Sequence, residues 1–325
     1  MLPVDEVSRT AEARRLARGL ACESNFVESR AEQVAIVTTE ICTNILKHGG
    51  GGQVHLRAGR QRDLEFVEVL GLDQGPGFAN VSERLRDGFS SAGTMGTGLG
   101  AIRRLSSFWD LSSQAGTGTV ILARLASTTA VLESHPVDGI STPMPGEIEC
   151  GDAWGIRDSG ANQILVVADG LGHGPAAAAA SRAAIDFLFS APVSAPVDML
   201  KGLHDALRAT RGAAVAVAHI NREDRTVTFA GLGNISARIC ESGVPSKNLI
   251  SMHGTAGAYG TNRFREFSYP WPEESVLILH SDGLSARWDI TDYPGLLARD
   301  AALICGVLYR DHCRGTDDAT VVAVK

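Results

Sequence analysis

The sequence predicts an α+β protein of two domains, an α/β sandwich followed by a β-sandwich flanked by helices. Three observations carry that prediction. The chain has 325 residues, more than one hydrophobic core usually serves and about right for two. Its first third orders as helix, helix, strand, strand, loop, helix, strand, whereas short apolar β-rich runs dominate the remainder. Between them, residues 126–146 read "ASTTAVLESHPVDGISTPMPG", rich in Ser, Thr and Pro, and hold the expected boundary. "AVLES" within it suits either a linker or the first strand of the second domain. The expected domains are residues 1–126 and 130–325.

The elements follow in order. "EVSRTAEARRLARGLAC" and "RAEQVAIVTTEICTNILKH" repeat apolar residues at helical spacing. "GQVHLRAG" and "LEFVEVLGL" read as strands, separated by a turn around Arg60 to Asp63. After glycine-rich loops, "LGAIRRLSSFWD" reads as a short helix and "GTGTVILARL" as a strand. That order implies a layer of helices over one mixed or antiparallel sheet. In the second domain, "QILVVA", "AAVAVAHI", "TVTFAGLG", "SVLILH" and "TVVAV" are the β-rich runs. Helices at "PAAAAASRAAIDFLF" and near "DMLKGLHDALRAT" interrupt them, the alanine run being helix propensity rather than low complexity.

Composition excludes several classes. At 44% hydrophobic and 21% charged residues the chain suits a soluble globular protein. Its apolar runs are too short to span a bilayer, so no membrane role is expected. The N-terminus alternates charge with apolar residues, unlike a secretory signal. Six dispersed cysteines without a CxxC pair suggest reduced thiols in a cytoplasmic protein, not a disulfide framework or zinc site. A net charge of −7 without a basic cluster argues against nucleic acid. Phosphates remain accessible to backbone amides and metal ions.

"TEICTNILKHGG" raises the first functional question. At about 100° per residue, Glu40, Asn44 and Lys47 share one narrow sector beside the apolar stripe of Val34, Ile41 and Ile45. A solvated face is the plain explanation. However, "DQGPGF" (Asp73–Phe78) follows a strand, and "GTGLGA" (Gly96–Ala101) precedes a helix. Each glycine motif alone is weak; the ordered set is selective. Glycines let backbone approach a ligand, and amides opening the Leu99–Ser106 helix would face phosphate oxygens. Asp73 can accept from an adenine amine, Asn44 can offer oxygen to Mg²⁺, and Glu40 can take a proton from an attacking hydroxyl. His48 is read as a helix C-terminal residue rather than as part of the chemistry.

With "TEICTNILKH", "DQGPGF", "LRDGFSSAGTMGTGLGAIRRL" and "AGTGT" in that order, residues 5–125 resemble the GHKL ATPases, and among them the RsbT-type switch kinases and their anti-sigma relatives. The resemblance implies ATP and Mg²⁺ as cofactors and a serine or threonine of a STAS-domain partner as phosphoacceptor. It makes Glu40 the base, Asn44 the Mg²⁺ ligand and Asp73 the adenine contact. Gly75, Gly77, Gly96, Gly98 and Gly100 would shape the nucleotide loops.

In the second domain Asp152, Asp169, Asp282, Asp317 and Asp318 stand at ends of apolar runs. Asp-Gly after a strand is ordinary turn chemistry. Clustered carboxylates, though, repel one another unless a hard cation neutralises them, and paired divalent ions acidify a water that can attack phosphorus. "GEIECGDAW", "VVADGLGHG", "RGAAVAVA", "GLGN", "LHSDGL" and "DDATVV" occur in the order found in PPM serine/threonine phosphatases of the SpoIIE group, and the chain from about Ala130 resembles that group, the RsbX type above all. The resemblance implies an αββα sandwich holding two Mn²⁺ or Mg²⁺ ions. Asp169 would bridge both ions, with the Gly170 carbonyl beside it. Asp282 and Asp317 would complete the second ion's shell, and Asp152 would act through water. Asp318 stands where many relatives carry asparagine. His173 suits a phosphate contact or a structural role.

The combined expectation is a partner-switching regulator whose two domains have opposing activities on serine or threonine of STAS-domain or other regulatory proteins. Two rivals stand beside it: a nucleotide-gated, non-catalytic first domain that controls the phosphatase, and a degenerate phosphatase kept as a scaffold.

Overall fold

The computed structural model describes residues 1–78, 97–258 and 263–325. The chain divides into two compact units, Met1–His135 and Pro136–Lys325.

In the first unit, β1 (Leu2–Val4), β2 (Gly52–Gln61), β3 (Leu64–Asp73), β4 (Phe108–Gln114) and β5 (Gly118–Ala126) form an antiparallel sheet in the order β1-β2-β3-β5-β4. Over one face lie α1 (Val7–Glu23), α2 (Glu28–Asn44) and α3 (Thr97–Leu105), which share a core with Val67, Val69, Ile121 and Ala123. Ala13, Ala17 and Ala21, spaced by four, give α1 a fully buried stripe of small side chains. Asn25, at φ 57, turns the chain from α1 into α2. The expected apolar sector, Val34 and Ile41 on α2 and Ile45 just beyond its end, is buried.

"LGAIRRLSSFWD" does not continue as one helix. α3 ends at Leu105, and Phe108 and Trp109 instead pair with Arg124 and Ala123 of β5. Aromatic side chains favour a half-buried pleated surface, and the ladder overrides the helical period. On the sheet face away from α2, Glu68 of β3 lies level with Arg57 of β2 and Arg124 of β5. It pairs with both guanidinium groups at 2.7 Å, and Arg124 is fully buried over the rings of Phe66 and Phe108.

The second unit stacks two sheets. One runs β13 (Ser251–Met252), β10 (Thr226–Leu232), β9 (Ala213–Asn221), β8 (Asn162–Gly170), β7 (Asp152–Ser159), with β14 (Phe267–Pro270) also on β10. The other runs β12 (Val244–Asn248), β11 (Ser236–Glu241), β15 (Val276–His280), β16 (Ala319–Val324), β6 (Val137–Thr142). Leu165, Val167, Ala216 and Phe229 meet Ile239, Leu277, Leu279 and Val322 between them. α4 (Pro175–Ser190) and α5 (Pro196–Ala206) cover the outer face of the first sheet. α6 (Ala301–His312) packs on β6 and β16, completing an αββα order.

Local chemistry explains the helix starts. Pro175 and Pro196 open α4 and α5, where proline's missing N–H costs nothing. Asp300 caps α6 by accepting from Ala302 N at 2.9 Å. Within the expected boundary stretch, the strand is Val137–Thr142, not "AVLES". Leu132 instead packs against Phe66 in the first unit.

Candidate functional site

In the first unit, Glu40 and Asn44 lie one turn apart on α2, both half-buried. Beyond Asn44 the helix widens into a π turn, Ile45–Gly49, and Gly50 ends it in the left-handed region at φ 71. The 100° projection that aligned Lys47 with Glu40 and Asn44 therefore stops at Asn44; Lys47 and His48 are exposed on the wider turn.

The first turn of α3 comes against this face. A Cβ on Gly98 would stand 2.9 Å from Glu40 Oε2 and 3.5 Å from Asn44 Oδ1. Opening amides of α3, which have no intrahelical acceptor, thus adjoin the carboxylate and the amide. Gly100 is buried in the same helix. Gly96 lies outside the described residues.

The π turn also reaches Asp73 at the end of β3. Asp73 Oδ1 accepts from Gly75 N at 3.0 Å and Thr119 N at 3.2 Å, which fixes its carboxylate. A Cβ on Gly75 would meet the His48 carbonyl at 2.5 Å. Gly77, at φ 55, lies so close to the Gln114 carbonyl that a side chain there would collide with it. Glu40, Asn44 and Gly98 form one grouping, Asp73, Gly75 and Gly77 a second, and the end of α2 joins them.

In the second unit, Asp152 and Asp169 are directly opposite across β7 and β8. Leu165 and Val167, at the same alternation as Asp169, lie in the inter-sheet core, so both carboxylates sit on that face at the strand ends. Asp169, Asp282 and Asp317 line one cleft of about 480 Å³ with Asn234, His253 and Thr255. Gly170 closes β8, its N–H donating to Gly151 O at 3.0 Å.

Burial pushes Asp169 up to about 8, reinforced by Asp152, Asp282, Asp317 and Asp318. Burial likewise pushes Asp152 up to about 7, opposed by hydrogen bonds from Ser281 and Thr320. Asp282 is raised by burial and by Asp317, against the nearby Arg314 and a bond from Asn234.

The residues sequence reasoning passed over hold these carboxylates in place. Ser281 Oγ donates to Asp152 Oδ2 at 2.6 Å and accepts from Thr320 N, joining the two sheets. Asn234 Nδ2 donates to Asp282 Oδ2 at 2.8 Å. Asp318 is buried and accepts from Met144 N at 2.9 Å. Asn234 and Ser281 already stood inside the quoted motifs "GLGN" and "LHSDGL", but spacing does not show which carboxylate each would hold.

The donor set suits a hard divalent cation. Asp152 Oδ1 and Asp318 Oδ2 are buried without hydrogen-bond partners among the described residues, a costly state that a cation would relieve. Among the described residues no three acidic, histidine or cysteine side chains are drawn around one point.

A cleft lined by three aspartates in an αββα sandwich defines a PPM-type phosphatase domain, preceded by a GHKL-like ATPase fold. The model of Stage II sporulation protein E (SpoIIE) matches residues 159–325, and the chain belongs to that family. The histidine kinase-like ATPase domain model matches residues 4–125. The serine/threonine-protein kinase RsbT of Bacillus subtilis is 33% identical over 111 residues, covering 34% of this chain and 84% of that protein. The phosphoserine phosphatase RsbX of the same organism is 25% identical over 140 residues, covering 43% of this chain and 70% of its own. Among solved structures, one described as "The bacterial stressosome: a modular system that has been adapted to control secondary messenger signaling" matches with a TM-score of 0.53 and 28% identity, over 58% of this chain and 98% of that one. RsbX in complex with magnesium shares the fold, with a TM-score of 0.51 and 23% identity over 57% of this chain and 92% of that one. No helix among the described residues is long and apolar enough to cross a membrane.

Proposed function

We propose that the chain is a bifunctional partner-switching regulator: its first unit phosphorylates serine or threonine of a STAS-type partner, and its second removes phosphate from such residues. The observation that carries the phosphatase half is the meeting of Asp152 and Asp169 in register beside Asp282 and Asp317. Asp169, the Gly170 carbonyl, Asp282 and Asp317 would hold two Mn²⁺ or Mg²⁺ ions, with Asp152 behind them. Bound divalent ions supply Lewis acidity and an acidified water at neutral pH. The protein's own part is orientation: Ser281 fixes Asp152, Asn234 fixes Asp282, and Asp318 is tied through Met144 N.

In the first unit, Asn44 would hold Mg²⁺, the opening amides of α3 would receive phosphate, and Asp73 would take the adenine amine. Glu40, one turn before Asn44 and beside Gly98, would accept a proton from the incoming hydroxyl. The match to RsbT supports a kinase, and the match to RsbX supports a phosphoserine substrate.

The test supplies purified protein with Mn²⁺ and p-nitrophenyl phosphate, then with a phosphoserine STAS protein, beside Asp169→Ala. Metal-dependent phosphate release that the variant lacks is the expected result; no release from either substrate refutes the phosphatase. On the kinase side, Glu40→Ala abolishes phosphorylation of the STAS partner while ATP-dependent binding persists. If the unaltered chain binds ATP and partner without transferring phosphate, the first unit is a nucleotide-gated docking module instead.

A further inference from the structure

The catalytic carboxylates leave part of the cleft's rim without a role. Arg211, between α5 and β9, is exposed and has no hydrogen-bond or ion-pair partner among the described residues. Its Nη1 lies 3.3 Å from the position a Cβ on Gly172 would occupy, and Gly172 lines the cleft. Of the other arginines nearby, Arg182 is committed to Glu149 at 2.8 Å and Arg208 to Asp205 at 3.1 Å, while Arg314 lies on the Asp282 side of the cleft. The bond from Leu171 N to Gly212 O, at 3.0 Å, ties the two segments of the rim together.

The loop before β7 reaches this rim through Glu147. Glu147 pairs with His173 at 2.7 Å, Glu149 pairs with Arg182, and Met144 N donates to Asp318. Between the two anchored glutamates, Ile148 stands 95% exposed. Leu171, on the cleft wall itself, is 46% exposed. A lone exposed aliphatic residue is ordinary. Ile148 is held out in water by ties on either side, and Glu147 links its loop to His173, which follows Leu171 and the Gly172 that Arg211 adjoins; together they have the composition of a recognition surface.

We infer that this rim reads the chain around the phosphorylated residue, Arg211 taking phosphate charge while Leu171 and Ile148 take apolar side chains flanking it. The occupant is a phosphoserine- or phosphothreonine-bearing protein segment with aliphatic neighbours; this rests on the phosphatase reading and adds its specificity. Charge complementarity supports the assignment. The cleft's carboxylates repel a phosphate dianion, and a guanidinium on the rim offers it a bidentate partner. Continuity does so as well, since Leu171 and Gly172 belong both to the rim and to the cleft.

The experiment measures binding and turnover separately. Fluorescent phosphoserine peptides with leucine or glycine flanks, and an unphosphorylated control, are titrated onto the 325-residue chain carrying Asp169→Asn, so that bound peptide is not consumed. Leucine flanks should tighten binding about tenfold, and adding Ile148→Ser should remove most of that preference. Arg211→Ala should weaken both phosphopeptides about tenfold while leaving the unphosphorylated control alone, and Arg211→Lys should recover part of the loss. Equal affinities for the two flanks, or a preference that survives Ile148→Ser, overturn the inference. Turnover of p-nitrophenyl phosphate by the otherwise native chain decides the parent reading. Flank-selective binding without turnover keeps the rim and removes the phosphatase; turnover without flank selectivity does the reverse.

Discussion

Asp169 carries a conflict that its neighbours create. Burial and four surrounding carboxylates disfavour its charge, so removing that charge relieves the fold while removing a candidate metal ligand. Asp169→Asn should therefore raise the melting temperature in chelator by roughly 2–4 °C. The same variant should lose the upward shift that Mn²⁺ gives the native chain. Differential scanning fluorimetry with and without Mn²⁺ checks both, and a variant that melts lower in chelator contradicts the repulsion. At this scale the sequence was informative about residue type and silent about convergence. Asp-Gly after an apolar run marked Asp169 and Asp282, yet nothing in the spacing told an isolated turn from a shared cleft. Gly96 remains an expectation from the motif alone, outside the described residues.

Among elements, the end of α2 matters most to the first unit. Its π turn brings Gly49 against Asp73 and the His48 carbonyl against Gly75, so the proposed metal and adenine ends of the site share one piece of backbone. Gly77→Ala tests how tightly that corner is built. A side chain there meets both a positive φ and the Gln114 carbonyl, and the substitution should cost about 1–3 kcal/mol of stability in chemical denaturation. It should also weaken binding of a fluorescent ATP analogue; a variant with native stability and affinity would show that the corner yields.

The long periodic helices and apolar strands were legible because each satisfies its own pattern. β4 was not, because its Phe108 and Trp109 continue a helical run and become a strand only through pairing with β5. β7 escaped for a similar reason: "DAWGIRDS" is half polar, and its place is set by the ladder with β8. The buried row of Arg57, Glu68 and Arg124 was equally invisible, since it exists only once three strands lie level.

Across the whole molecule, each unit has its own apolar core, and each unit holds a buried thiol that reports on its opening. Burial pushes Cys42 up to about 12 in the first unit and Cys240 up to about 11 in the second. The reactive thiolate is therefore scarce at pH 8 in the folded chain and becomes available when a unit opens. In mild denaturant, a nucleotide analogue should slow alkylation of Cys42, and Mn²⁺ alone should slow that of Cys240. Mass spectrometry of the labelled peptides separates the two sites. Equal protection of both cysteines by either ligand would mean that the units open as one.

The facing of Asp152 and Asp169 also bears on how the chain is made. A strand's side chains alternate, so sliding β7 by one residue against β8 would turn Asp152 toward the helix-covered layer and leave Asp169 without its counterpart. Such a mispaired hairpin could keep much of its hydrogen bonding, but it would have no use for the ion. A metal that recognises only the correctly aligned pair would then act during synthesis as a proofreader, holding the true pairing and letting the slipped one come apart.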